Sequence, residues 1–184
     1  MLYTRAGDSG TTKVFDSKKG QRISKGSCRT ESLGVLDELN SFLGILKVKS
    51  ADYSFVIDGK SLKEIIFWVQ NCLFIVQAEV AGSDKTILEE KVLLMEKWID
   101  GIEKELPPIK TFFISGGAEL AALADFSRTL ARRAEREIVR SVEKGEVKVG
   151  PKTLVFLNRL SSLFYALARL INHKSGIKEE PPTY

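Results

Sequence analysis

Apolar residues recur at helical spacing along most of this chain. Leu33, Leu36, Leu39, Leu43 and Leu46 form one stripe. After a polar loop around Asp52–Lys60, Ile65, Ile66, Val69, Leu73, Val76 and Val80 form a second. Leu88, Val92, Met95, Ile99 and Ile102 form a third, stopped by Pro107-Pro108. Leu120, Leu123, Leu130, Ala134 and Ile138 form a fourth, entered through Ser115-Gly116-Gly117, and Leu154, Leu157, Leu160, Phe164, Leu167 and Ile171 a fifth. Spacing of i, i+3/i+4 and i+7 buries one face of a helix, and Gly150-Pro151 is placed to start the last of them. Five helices with short connections predict an all-α protein, a five-helix antiparallel bundle. The expected divisions are an arm over 1–27, the bundle over 28–175 and a frayed tail over 176–184, together making a single domain.

The 184 residues are 43% hydrophobic, which excludes disorder, and no apolar run approaches the 18 residues of a membrane span. Nothing at the N-terminus has the apolar core of a signal peptide. Two cysteines (Cys28 and Cys72) and one histidine (His173) supply neither a disulfide framework nor a Cys/His metal cluster. A soluble cytoplasmic protein, with no membrane partner, is expected.

The net charge of +4 is unevenly spread. Arg5, Lys13, Lys18, Lys19, Arg22, Lys25 and Arg29 face only Asp8 and Asp16 within residues 1–30, so the body that follows is nearly neutral. Gly7, Gly10, Gly20 and Gly26 are interleaved with these cations, and glycine lets backbone N–H groups approach an anion closely. The arm reads either as a phosphate binder or as a flexible basic tail that touches nucleic acid loosely.

On the fourth helix, Arg128, Arg132 and Glu135 line up away from the apolar stripe, and Arg133 and Arg136 broaden the basic face. Such a face is either simply solvated or a guanidinium cluster for phosphate or carboxylate. An interface between subunits is a natural place to use both Arg128 and Asp37, which points away from the leucines of the first helix. There is no G-x-x-x-x-G-K-[ST] loop, and a lone histidine argues against Ser-His-Asp catalysis. His173 reads as a partner of its helix's C-terminal dipole, the pairs Asp37-Glu38 and Glu89-Glu90 as surface, and Trp68 and Trp98 as packing residues.

Three separated segments resemble the signatures of the PduO-type ATP:cob(I)alamin adenosyltransferases. The first is Thr4-Arg5-Ala6-Gly7-Asp8-Ser9-Gly10-Thr11-Thr12, with Lys25 and Gly34-Val35-Leu36-Asp37-Glu38-Leu39-Asn40-Ser41. The second is Gly116-Gly117 followed by Arg128-Thr129-Leu130-Ala131-Arg132-Arg133-Ala134-Glu135-Arg136, and the third Leu157-Asn158-Arg159-Leu160-Ser161. Ala6, Ser115 and Ser162 depart from the residues common at their positions, a hydroxyl residue, Pro and Asp.

The resemblance implies a ferritin-like, cobalamin adenosyltransferase-like bundle with a flexible N-terminal arm, assembled as a homotrimer with sites between subunits. It implies transfer of the 5′-deoxyadenosyl group of ATP to cob(I)alamin or a related corrinoid, with Mg²⁺ and release of triphosphate. By the same resemblance, Thr4, Arg5, Gly7, Thr11, Thr12 and Lys25 hold the nucleotide, completed by Arg132, Arg133, Glu135, Arg136 and Asn158. Arg128 pairs with Asp37 of the adjacent subunit, and Phe112 sits against the corrin and helps remove its lower axial ligand. A reductase supplies the electron, a cobalamin-dependent enzyme receives the product, and nucleic acid is not a partner. Cob(I)alamin is itself the nucleophile, which accounts for a sequence without an activated Ser, Cys or His; placement and electrostatics are left to the protein.

Overall fold

The computed structural model describes residues 3–184; Met1 and Leu2, the first residues of the expected arm, lie outside the described residues. Five helices make up the body: α1 (Cys28–Lys49), α2 (Leu62–Val80), α3 (Glu89–Glu105), α4 (Glu119–Glu143) and α5 (Pro151–Lys174). Local chemistry sets their ends. Ser27 caps α1 by accepting from the Thr30 N–H, and Ser61 with Glu64 forms a capping box on α2. Pro151 opens α5 as its position predicts. The buried Glu79 of α2 accepts from the Gly150 N–H at 2.8 Å and the Thr153 hydroxyl at 2.5 Å, placing a carboxylate where the α5 dipole is positive.

The helices pack α2 against α1, α1 against α4, α4 against α5 and α5 against α3. Trp68 of α2 meets Trp98 of α3 edge-on at 4.9 Å, closing the ring. Leu36, Leu39, Leu43, Ile65, Leu73, Phe156 and Phe164 are wholly buried at the centre.

Several expectations are corrected. The buried face of α4 runs through Ala121, Ala124, Ser127, Ala131 and Ala134, whereas Leu123 and Leu130 are half-buried at its flanks. Small side chains occupy the seam because α4 lies against both α1 and α5. Polar pairs that hydropathy does not register also sit there: Ser32 and Ser141 share a hydrogen bond of 2.8 Å. Leu88 is exposed because it precedes α3 as its N-cap, and Ile87 takes the buried place. The loop before α2 contains a 3-10 turn at Ser50–Asp52 and a short hairpin, labelled β3 (Val56–Ile57) and β4 (Lys60–Ser61).

The tail over 176–184, expected to fray, is held at two points: the Glu179 carboxylate pairs with Arg169, and the Glu180 carbonyl accepts from the Ile114 N–H. Finally, α5 is long and apolar enough by composition to cross a membrane, with a mean hydropathy of 1.4 over 18 residues, although no such run was expected. In this fold 61% of that stretch is buried, as suits the central helix of a bundle.

Candidate functional site

The chain leaves α3 at Pro107-Pro108 and reaches α4 through a loop ending in Gly116-Gly117, both with positive φ. Phe112, on this loop, is 80% exposed. It borders a cavity of about 650 Å³ whose wall includes Ser115, Asp125, Arg128 and Arg132 and, from α5, Ser161 and Tyr165. A large exposed aromatic beside two guanidinium groups gives an apolar surface and a cationic one in the same hollow.

Arg128 donates to Asp125 one turn earlier on α4, and the Ser115 hydroxyl donates to the same carboxylate at 2.5 Å. Burial, the largest single influence on Asp125, opposes its ionisation. The hydrogen bonds from Arg128 and Ser115 and the charge of Arg128 together outweigh it and hold the carboxyl below its usual range. The hydrogen bond to Asp125, helped by the charge of that carboxylate and opposed by burial, raises the Arg128 guanidinium above its ordinary value, and burial raises the Tyr165 hydroxyl.

Further along α4, Arg132 and Arg136 are exposed. Arg133 instead turns to α1, meeting Glu38 at 2.9 Å and Glu31 at 3.6 Å. Asn158 of α5 donates to Glu135 at 2.9 Å, joining two residues expected in one site. Arg159 beside it bridges to Glu96.

The arm, expected to be flexible, is folded back on itself and tethered. Its β1 (Thr11–Thr12) pairs with β2 (Ile23–Ser24). Arg22 donates to both the side chain and the carbonyl of Thr11, each at 2.8 Å. The Phe15 N–H donates to Ala81 at 2.8 Å, and Arg29 joins Asp16 at 2.9 Å. Lys25 lies over Gly7, where an added Cβ would meet Nζ at 3.0 Å, so glycine leaves room for that ammonium. Arg5 holds a left-handed φ of 58°, rare for a side-chain-bearing residue and a conformation that clusters at ligand sites.

The structure therefore brings Phe112, Arg128 and Arg132 to one cavity, and Glu135 to Asn158. Gly7, Thr11, Thr12 and Lys25 gather in the arm with Thr4 and Arg5. Among the described residues no hydrogen bond or ion pair joins that group to Arg132, Arg136 or Asn158. Asp37 is exposed on α1, in an open groove with Phe67 and Phe74. Sequence reasoning missed Asp125, Tyr165, Arg169 and Asn172. The signal for Asp125 was its i, i+3 spacing from Arg128, and for Arg169 and Asn172 their place among apolar residues on α5.

A family model described as cobalamin adenosyltransferase matches residues 2–171. The chain is 37% identical over 180 residues to the corrinoid adenosyltransferase of Bacillus subtilis (strain 168), covering 96% of this chain and 89% of that one. It is 36% identical over 174 residues to the corrinoid adenosyltransferase PduO of Citrobacter freundii, covering 94% of this chain and spanning half, 50%, of that relative. Its fold matches a variant of the PduO-type ATP:corrinoid adenosyltransferase from Lactobacillus reuteri complexed with cobalamin and ATP. The TM-score is 0.85 at 29% identity, over 99% of this chain and 96% of that one.

Proposed function

Because this chain belongs to the cobalamin adenosyltransferase family and is an ATP:corrinoid adenosyltransferase, we propose that it works as a homotrimer whose sites lie between subunits. In that arrangement the arm of one subunit supplies the nucleotide contacts and the Phe112 cavity of its neighbour supplies the corrinoid contacts. The observation that carries this reading is the cavity itself, where the exposed Phe112 ring and the Arg132 guanidinium border the same space. The groove holding Asp37 supports the assembly: Phe67 and Phe74 beside it are 56% and 65% exposed, and large aromatics left bare suit a protein interface. The arm supports the phosphate role over a loose nucleic-acid contact. Arg22 and Arg29 are engaged internally, Arg22 with Thr11 and Arg29 with Asp16, while Lys25 lies over Gly7.

In the reaction, the cobalt of cob(I)alamin attacks C5′ of ATP. The Co–C bond forms as the C5′–O bond breaks, and triphosphate leaves with the electron pair. The protein holds C5′ in line with cobalt, and orientation of this kind accounts for about 7–11 kcal/mol of barrier. Thr4, Arg5, Gly7, Thr11, Thr12 and Lys25 bind the nucleotide. Arg132 and Arg136 meet charge developing on the departing triphosphate, with Arg133 available once released from Glu38 and Glu31. Asn158 is steadied by Glu135. Phe112 covers the lower face of the corrin, excluding water and the lower ligand and so easing Co(II)-to-Co(I) reduction.

Mg²⁺ binds through substrate phosphates plus one or two carboxylates; for an ion brought in with ATP, Glu135 would supply such a carboxylate, oriented by the hydrogen bond from Asn158. A reductase delivering the electron and a cobalamin-dependent enzyme taking the product complete the reading, with cob(I)alamin or a close relative as acceptor. Free thiols at Cys28 and Cys72 accord with the cytoplasm, where disulfides are rare.

The test is anaerobic: purified protein, chemically reduced cob(I)alamin and Mg·ATP, followed by absorbance and chromatography. The expected result is light-sensitive adenosylcobalamin with stoichiometric triphosphate, from a species that sediments as a trimer. A fully active monomer would overturn the shared site.

A further inference from the structure

We propose that Arg169, Asn172 and Glu179 are positioning residues that brace the loop carrying Phe112, with the chain's C-terminal segment acting as its strap. The proposal rests on the reading above that Phe112 meets the corrin.

Arg169 is 5% exposed, although an arginine on a bundle helix ordinarily reaches solvent. Its Nη2 donates to the Pro107 carbonyl at 3.3 Å, where the loop leaves α3. Its guanidinium lies over the Phe113 ring at 5.1 Å. Its Nε is held by Glu179, at 2.9 Å to one carboxylate oxygen and 3.3 Å to the other. One turn further along α5, the buried Asn172 grips the other end of the loop. It donates to the Gly116 carbonyl at 3.0 Å and accepts from the Ala118 N–H at 3.0 Å. Between these anchors, the Ile114 N–H donates to the Glu180 carbonyl at 2.8 Å.

The loop is thus pinned at both ends and in the middle. With Phe113 turned inward onto Arg169, the preceding Phe112 is turned outward toward the cavity. Glu179 fixes the Arg169 fork in the one orientation that serves both Pro107 and Phe113. A lysine could not supply these contacts together.

Glu179→Gln, Glu179→Asp, Arg169→Lys and Phe112→Ala enzymes, with the parent, are compared as trimers using chemically reduced cob(I)alamin. Glu179→Gln is expected to raise KM for the corrinoid about tenfold, since a charge-assisted bond becomes a neutral one. KM for ATP stays at the parental value, amide exchange quickens over residues 112–116, and the melting temperature falls because the nearly buried Arg169 loses its counter-charge. Glu179→Asp restores part of the corrinoid affinity, and Arg169→Lys behaves as Glu179→Gln does. Bound cob(II)alamin reports the same change in its absorbance, through loss of the form lacking the lower ligand.

Parental corrinoid KM and exchange in Glu179→Gln would overturn the proposal. So would an equal rise in both KM values, which marks a purely structural role. A disabled Phe112→Ala enzyme beside an indifferent Glu179→Gln overturns the brace alone. Parental kinetics in Phe112→Ala overturn the brace together with the reading it rests on.

Discussion

Arg128 is paired with Asp125 on its own helix, Nε to Oδ1 at 2.6 Å and Nη2 to Oδ2 at 3.3 Å. A guanidinium carries five donors, so this pair orients Arg128 while leaving donors for a second carboxylate. Asp125 also receives the Ser115 hydroxyl, so the turn before Gly116-Gly117 and the proposed interface arginine share one anion. Ser115 stands where the resemblance leads one to expect Pro, and its bond to Asp125 secures by hydrogen bonding a turn that a ring would secure sterically.

Arg128→Ala and Asp37→Ala are each expected to weaken trimer assembly by about 2–5 kcal/mol, the scale for truncating one member of a desolvated charge pair. The double variant should cost less than the two added together. Sedimentation across a dilution series checks this, and intact trimers of both single variants at the lowest concentration would show that the pair does not form.

Asp125 governs acid behaviour. Its folded-state carboxyl titrates below the unfolded one, so its stabilising contribution is complete above the unfolded value, near 3.8, and disappears as pH falls through the lower folded value. Thermal melts between pH 6 and 2 should show the parent losing stability more steeply at the acid end than Asp125→Asn. Parallel curves would count against the pairing.

Arg132→Ala is expected to lose on the order of 10²-fold or more in turnover, as when one preorganised donor to developing charge is removed. Steady-state kinetics with saturating cob(I)alamin reads the loss directly, and turnover within a factor of two of the parent would remove Arg132 from the triphosphate site.

Two glycines should respond oppositely to alanine. Gly117 has φ +95°, and a Cβ there would meet the Asn172 side chain at 2.3 Å, so Gly117→Ala should cost at least about 1–3 kcal/mol. Gly101 lies within α3 with nothing near its absent side chain, so Gly101→Ala should stabilise by about 0.5–1 kcal/mol. Denaturant melts of both variants test the contrast.

The helices were legible because periodicity records burial, and Ile65, Val69, Leu73 and Val76 are indeed buried where the stripe puts them. The seam of α4 was not, since Ala and Ser carry weak hydropathy signals and are selected by how closely helices approach. The identities of Arg132, Glu135 and Asn158 came from short motifs; the 2.9 Å contact between the last two came from the packing of α4 on α5. The strap at Glu179 was illegible because its composition is that of a free tail. What orders it is a cation on α5, ten residues earlier in the chain, and a backbone N–H far from it in sequence.

Helix α5 carries Asn158 near its start and Arg169 eleven residues later. At 1.5 Å per residue their backbones stand about 16 Å apart, and the rod between them is seated in the core along its length. The helix therefore serves as a gauge, setting the distance from the Glu135–Asn158 pair to the foot of the Phe112 loop by residue count alone. Adding one residue between the two positions would lengthen that gauge by about 1.5 Å and swing its far end through about 100°, throwing both ends out of register at once while leaving every side chain at either end chemically intact.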